Sequence, residues 1–232
     1  MIYIYGESYS LNVSNSMFYN CFCSQNGGAI FFSSYNLVLR MVCAFKCSCG
    51  TSRCGQFAYL IASHINQAEY LSVSFCSNTT SGSYPIWLQS GKQRIDITNS
   101  SMNNAIQASV IIIDYPSSFT SSYCTFSNNK VSECRCLYFF SNYGTMSYAN
   151  IIHNNSPSNA VVHVYGGATK MQYCLFIMNH NTLFYVDYPS LEVSHSFISH
   201  TDLIHIGHPI STTNNNSFTM KQTYKLQFFN SH

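Results

Sequence analysis

The chain has 232 residues, of which 46% are hydrophobic and only 8% are charged, and its formal net charge is +2. Ordinary soluble domains carry about 25% charged residues, so 23 Asn and 36 Ser supply most of the polar surface here. The 18 Tyr and 17 Phe beside only 5 Pro exclude intrinsic disorder, and ten scattered Lys and Arg give no support to nucleic-acid binding.

The N-terminal segment has the pattern of a strand from its first residues and lacks the basic and apolar regions of a signal peptide. The longest aliphatic run, Val110 to Ile113, is too short to cross a bilayer. We therefore predict no membrane-spanning segment in this chain, and we expect it to be a fragment of a longer solenoid.

Along the chain, a large apolar residue closes a strand at regular intervals of roughly one solenoid coil. Several of these strands alternate apolar and polar residues, which is the period of a half-buried β-strand. The anchor residues are Phe18, Phe45, Phe75, Met102, Phe126, Ile152, Phe176, Phe197 and Phe218. An Asn often follows three positions later, where it can form a turn or stack into an amide ladder. These turn residues are Asn78, Asn129, Asn155 and Asn179.

A second apolar strand follows each turn, as at Leu137 to Phe140 and Leu183 to Val186. Meander sheets contain similar strands, but anchors at a one-coil spacing favour stacked coils that build parallel sheets. The predicted fold is all-β, a right-handed single-stranded parallel β-helix solenoid of about nine coils of roughly 21–30 residues. Residues 1–232 form one domain, with 219–232 as a candidate C-terminal cap.

Two short motifs carry a family resemblance. Phe-x-x-Asn occurs at Phe75, Phe126 and Phe176, and Gly-Gly-Ala-Ile begins at Gly27, with a degraded copy at Gly166. Together they resemble the repeats of polymorphic outer membrane proteins (Pmp repeats) and the wider right-handed β-helix, pectin-lyase-like superfamily. The resemblance implies a β-helix at the cell surface or outside the cell, often adhesive, although the 232 residues include no autotransporter barrel. Gly27, Gly28, Gly166 and Gly167 are interpreted as bends with demanding backbone conformation.

The eight carboxylates give little sign of catalysis. A polysaccharide hydrolase needs a carboxylate pair, and a lyase needs a cation site with a base. Asp114 and Asp187 both follow a second strand, but three coils, or about 14 Å of rise, separate them. We predict isolated surface groups, no catalytic residue and no cofactor.

Histidine and cysteine leave alternatives open. His200, His205 and His208 fall within one predicted coil and are the candidates for a metal site, against the interpretation that they are surface groups. Cys21 and Cys23 precede Cys47 and Cys49 by about one coil. These four are predicted to stack as a thiol ladder, as disulfides or as a metal site.

Three hypotheses for function remain open from the sequence. The first is a non-enzymatic surface or adhesion module that binds carbohydrate or a host or cell-surface protein, with sugar-stacking aromatics on outward strand faces. The candidate ligand-binding residues are Tyr59, Trp87, Tyr138 and Tyr185. The second is a β-helix polysaccharide lyase or glycoside hydrolase, and the third is a structural spacer of a larger surface protein. Exposed end coils also predict end-to-end self-association.

Overall fold

In a computed structural model of the protein, the described residues are 1–50, 55–76, 83–140, 143–187, 189–199, 205–208 and 210–213. They form an all-β parallel β-solenoid of about seven turns, so the predicted fold class is confirmed. The predicted count of about nine coils differs slightly from this number for the described residues. The last anchor, Phe218, and the candidate cap 219–232 lie outside the described residues.

The described residues contain no helix, and every pairing between their strands is parallel. In chain order the strands are β1 (Ile2–Tyr5), β2 (Ser10–Tyr19), β3 (Phe22–Cys23), β4 (Ile30–Phe45), β5 (Ser48–Cys49), β6 (Gly55–Ser74), β7 (Tyr84–Gln89), β8 (Lys92–Asp96), β9 (Asn99–Ser101), β10 (Asn104–Ala105), β11 (Ala108–Asp114), β12 (Ser118–Ser122), β13 (Thr125–Ser127), β14 (Lys130–Val131), β15 (Arg135–Phe140), β16 (Tyr143–Ser147), β17 (Asn150–Ile152), β18 (Asn155–Tyr165), β19 (Gly167–Gln172), β20 (Leu175–Ile177), β21 (His180–Val186), β22 (Pro189–Ser194), β23 (Phe197–Ile198), β24 (His205–Gly207) and β25 (Ile210–Thr213).

Each turn contributes to three columns of stacked strands around one core. The first column stacks β1, β4, β6, β7, β11, β15, β18, β21 and β24 in this order. The second column stacks β2, β4, β6, β8, β12, β16, β19, β22 and β25. The third stacks β2, β4, β6, β9, β13, β17, β20 and β23. The long strands β4 and β6 pass through all three columns.

The corner between the second and third columns is made by one residue per turn in the left-handed conformation. Met41, Tyr70, Tyr123 and Tyr148 are examples, with φ between 54° and 56°. One left-handed residue reverses the alternation of side chains, so the apolar residues on either side both point inward. In β4, Leu39 and Val42 are both fully buried on either side of Met41.

The residues that the structure aligns in the third column are only partly the predicted anchors. Phe18, Phe126 and Phe176 do occupy one position, but the other turns place different residues there. The equivalents are Ala44, Val73, Ser100, Ile151 and Ile198. The predicted anchors Phe75 and Met102 are exposed corner residues with positive φ. Residue size misled the prediction because large apolar side chains also stack on the outside of this solenoid.

A buried amide ladder follows the third column. Asn103, Asn129, Asn154 and Asn179 occupy equivalent positions, and each of the first three donates its Nδ2 to the Oδ1 of the next over 3.0 to 3.2 Å. Asn155 lies one residue beyond the ladder and pairs with Lys130 and His180. The predicted turn residue Asn78 lies outside the described residues.

The four predicted glycine bends have different local structures. Gly27 and Gly166 are left-handed, with φ of 71° and 79°. Gly28 packs so closely that a Cβ there would overlap the carbonyl oxygen of Gln56. Gly167 opens strand β19, opposite Pro189.

Candidate functional site

The outer face of the first column carries a row of aromatic side chains in strict register. Tyr3, Phe31, Tyr59 and Trp87 stack in four successive turns, Ile112 follows, and Tyr138, His163 and Tyr185 occupy the next three. We call this row the aromatic face. All four candidate ligand-binding residues, Tyr59, Trp87, Tyr138 and Tyr185, therefore share one position of one column.

The rings of the aromatic face contact one another along the solenoid. The ring centroids of Tyr59 and Trp87 are 4.5 Å apart in a stacked arrangement, and those of His163 and Tyr185 are 4.6 Å apart, edge to face. Between these two groups, Ile112 is buried with Tyr84 and Ala108 in a small apolar cluster against which Trp87 and Tyr138 pack. The row is therefore a continuous, half-buried apolar strip outside the main core.

Polar groups line one edge of the aromatic face. Gln89 and Asp114 are in register, two residues after Trp87 and Ile112. The Nε1 of Trp87 donates to Oδ2 of Asp114 over 3.2 Å, and the hydroxyl of Tyr59 donates to Oε1 of Gln89 over 3.3 Å. Burial raises the pKa of Asp114, and the bond from Trp87 opposes that rise. The strip therefore pairs aromatic surface with fixed hydrogen-bonding groups.

A second polar group is built around His163. The Nη1 of Arg135 lies 2.8 Å from Nδ1 of His163, and Nε2 of His163 lies 2.8 Å from Oδ2 of Asp187. Burial lowers the pKa of His163 to about 4, because the loss of solvation outweighs the opposing effect of Asp187. A neutral ring must accept from the arginine at Nδ1 and donate to Asp187 from Nε2. The guanidinium of Arg135 also lies 3.8 Å from the centre of the Tyr138 ring.

No protein family, curated sequence or solved structure matches the chain. The resemblance to Pmp repeats consequently depends on the repeat pattern and the parallel β-solenoid alone. The described part of the chain contains no helix that could span a membrane.

The structure keeps Asp114 and Asp187 apart, at the separation expected from the sequence, and reveals a carboxylate pair elsewhere. Asp114 and Asp187 lie at one edge of the aromatic face, three turns apart. On the second column, Glu69 and Asp96 are neighbours in adjacent turns. Both contact Arg94, and Glu69 also forms an ion pair of 3.0 Å with Arg40. This pair was missed because a full turn of sequence separates its members, and only the register shows that they are neighbours.

A shallow polar groove adjoins this charged cluster. Its lining consists of Arg94, Asp96, Thr120, Ser121, Ser122, Thr145 and Ser147. The hydroxyl of Ser122 donates to Oδ1 of Asp96 over 2.6 Å. The groove contains no aromatic side chain, in contrast to the aromatic face.

The candidate metal residues at the C-terminal end are only partly described. His200 lies outside the described residues, only the backbone of His205 is described, and His208 is exposed. Over the part of the chain that the structure describes, no group of three or more His, Cys, Asp or Glu could hold a metal ion.

The four cysteine candidates form two separate pairs, Cys23 with Cys49 and Cys21 with Cys47. Cys23 and Cys49 face each other in the small sheet of β3 and β5; Cys49 is disulfide-bonded and Cys23 is a free thiol. Cys21 and Cys47 are free thiols in adjacent turns, and Cys47 also hydrogen-bonds with the Cys76 thiol. Cys76 was not among the predicted ladder residues, although it follows Cys47 by one turn of the solenoid.

Reasoning from sequence also missed Phe31, Asp114, Arg135 and His163 as members or neighbours of the aromatic face. The available signal for Phe31 was its spacing, since Tyr3, Phe31, Tyr59 and Trp87 follow one another at equal separations along the sequence. An alignment of the turns on the third column does not align the first column, because the number of residues between the two columns differs from turn to turn.

Proposed function

We propose that the protein is a non-enzymatic surface interaction module that binds an extended carbohydrate along the aromatic face. The observation that carries this proposal is the common register of Tyr59, Trp87, Tyr138 and Tyr185 on one outer strand face. We further propose that the solenoid is a right-handed β-helix of the pectin-lyase-like, Pmp-like type. We propose that it is displayed at a cell surface or outside the cell.

A saccharide combines apolar C–H patches with hydroxyl groups, and the aromatic face offers a partner for each. Half-buried tyrosine and tryptophan side chains present apolar edges with polar tips. Beside them, Asp114, Asp187 and Gln89 supply acceptors, and Arg135 supplies donors. Because the row advances by about 4.8 Å per turn, a linear chain lying along the solenoid axis contacts several turns at once.

The positions of the carboxylates favour binding over hydrolysis at this face. Glycosidase carboxyl groups lie about 5 to 9.5 Å apart, whereas Asp114 and Asp187 are separated by three turns, or about 14 Å of rise. Each carboxylate is also held by a hydrogen bond from its own aromatic neighbour, Trp87 or His163.

The test is binding of the purified chain to a panel of neutral and acidic polysaccharides, with new chain ends measured in the same samples. Trp87→Ala is expected to weaken binding by about tenfold, or ~1.4 kcal/mol. Tyr123→Ala is the matched control, because Tyr123 is an exposed, stacked tyrosine at the corner between the second and third columns, away from the aromatic face. Equal binding by the wild type and by Trp87→Ala contradicts the proposal, as does equal weakening by both variants.

The alternative of a polysaccharide lyase or hydrolase has one observation in its favour, the neighbouring Glu69 and Asp96 beside the polar groove. Release of new chain ends that is lost in Glu69→Gln and Asp96→Asn, but retained in Trp87→Ala, would establish it. Absence of both binding and cleavage would favour the structural spacer instead.

A further inference from the structure

The amide ladder continues towards the N-terminus as a ladder of thiols. Register places Cys76 in the turn before Asn103, and the backbone N–H of Cys76 donates to Oδ1 of Asn103 over 2.8 Å. Cys47 and then Cys21 occupy the same position in the two preceding turns. We call Cys21, Cys47 and Cys76 the thiol ladder.

The three thiols have the same local conformation. Each Sγ contacts the carbonyl oxygen two residues earlier, at 3.7 Å for Cys21, 3.8 Å for Cys47 and 3.5 Å for Cys76. Equivalent side chains on neighbouring parallel strands stack with a rise of about 4.8 Å. This rise falls inside the range of Cα separations that a disulfide can bridge.

The ladder is asymmetric in access and in reactivity. Cys21 is partly exposed, whereas Cys47 and Cys76 are fully buried. Hydrogen bonding from Cys76 lowers the pKa of Cys47 to about 7, and burial raises the pKa of both Cys21 and Cys76. Cys47 is therefore the best thiolate of the three and has a thiol on either side.

We propose that the thiol ladder is a disulfide-exchange site, in which Cys47 forms a disulfide with Cys21 or with Cys76 after Cys21 reacts with a small-molecule disulfide. Only one of the two bonds exists at a time, because the Cys47 sulfur is shared. This role is independent of the carbohydrate binding proposed above.

With oxidised glutathione as the oxidant, the steps balance. The Cys21 thiolate attacks the glutathione disulfide, forms a mixed disulfide and releases one glutathione. The Cys47 thiolate then attacks the Cys21 sulfur and releases the second glutathione. The Cys76 thiolate can attack Cys47, which forms the Cys47–Cys76 bond and returns Cys21 to a thiol. Two protein thiols have lost two electrons and two protons, and one glutathione disulfide has gained them.

The test is differential alkylation of the whole chain after incubation with oxidised glutathione, with each cysteine read separately by mass spectrometry. We expect Cys47 to be fully oxidised. Of Cys21 and Cys76, one is joined to Cys47, and the other is either a free thiol or, at Cys21, a glutathione adduct. Cys43 is the internal control, because it is partly exposed and its register neighbours are Met17 and Ser72. It is expected to give only a glutathione adduct.

Variants separate the two bonds. Cys76→Asn is expected to trap the Cys21–Cys47 disulfide, and its fold is protected because Asn fills this position in the next four turns. Cys47→Asn is expected to leave Cys21 as a stable glutathione adduct. An alkylatable Cys47 in the wild type, or loss of the Cys21 adduct in Cys47→Asn without added reductant, overturns the proposal.

Discussion

Asn129 and Asn154 are bonded twice across one step of the solenoid. Oδ1 of Asn154 accepts the backbone N–H of Asn129 at 3.1 Å and its Nδ2 at 3.0 Å. The Nδ2 of Asn154 in turn donates to the carbonyl oxygen of Phe126 over 2.9 Å. One side chain therefore satisfies three buried polar groups of the preceding turn.

Asn154→Ala is expected to lower the free energy of unfolding by about 3 kcal/mol, because it leaves buried donors and an acceptor without partners. Asn155→Ala is the control, since its side chain accepts a bond from Asn181 at the exposed surface. The control should cost less than about 1 kcal/mol. Denaturant unfolding of both variants makes the comparison, and equal losses would refute the assigned register.

The two kinds of phenylalanine should differ in the same assay. Phe126 is buried in the core, so Phe126→Ala is expected to cost about 4 kcal/mol through a cavity. Phe75 is 42% exposed and left-handed, so Phe75→Ala should cost less than about 1 kcal/mol. A large loss of unfolding free energy in Phe75→Ala would instead show that Phe75 packs in the core.

Stability should fall in mild acid because of His163. Its pKa is about 4 in the folded protein, below the ordinary value of 6.5. The unfolded chain therefore takes up a proton first as the pH falls from about 7 to about 4, which removes about 3 kcal/mol of stability. His163→Asn should lack this component. The measurement is the unfolding free energy against pH, and parallel curves for the two proteins would contradict the prediction.

Two glycines test close packing against backbone strain. Gly28→Ala places a Cβ on the carbonyl oxygens of Gln56 and Ser48, so we expect a loss of more than about 3 kcal/mol. Gly166→Ala meets nothing within 4 Å, and only its φ of 79° opposes the change. That cost should be about 1 to 2 kcal/mol. Thermal unfolding ranks the two, and the reverse order would be inconsistent with this packing.

The candidate site was predictable in composition but not in arrangement. Tyr59, Trp87, Tyr138 and Tyr185 were identifiable as outward aromatics of second strands. Their alignment with His163, and the joining of Arg135 to Asp187 through it, depends on how many residues each turn inserts at its corners. Those numbers differ from turn to turn, and no local pattern encodes them.

The fold class follows from the amino-acid sequence, since strands that recur at one-turn spacing can bury their apolar faces only by stacking. The register, in contrast, emerges only in the folded molecule, for a physical reason visible at Phe75. A left-handed corner residue reverses the inward alternation, so a large apolar side chain there points to solvent although the nearby Val73 is buried. The amide ladder, the thiol ladder and the aromatic face all follow from that register.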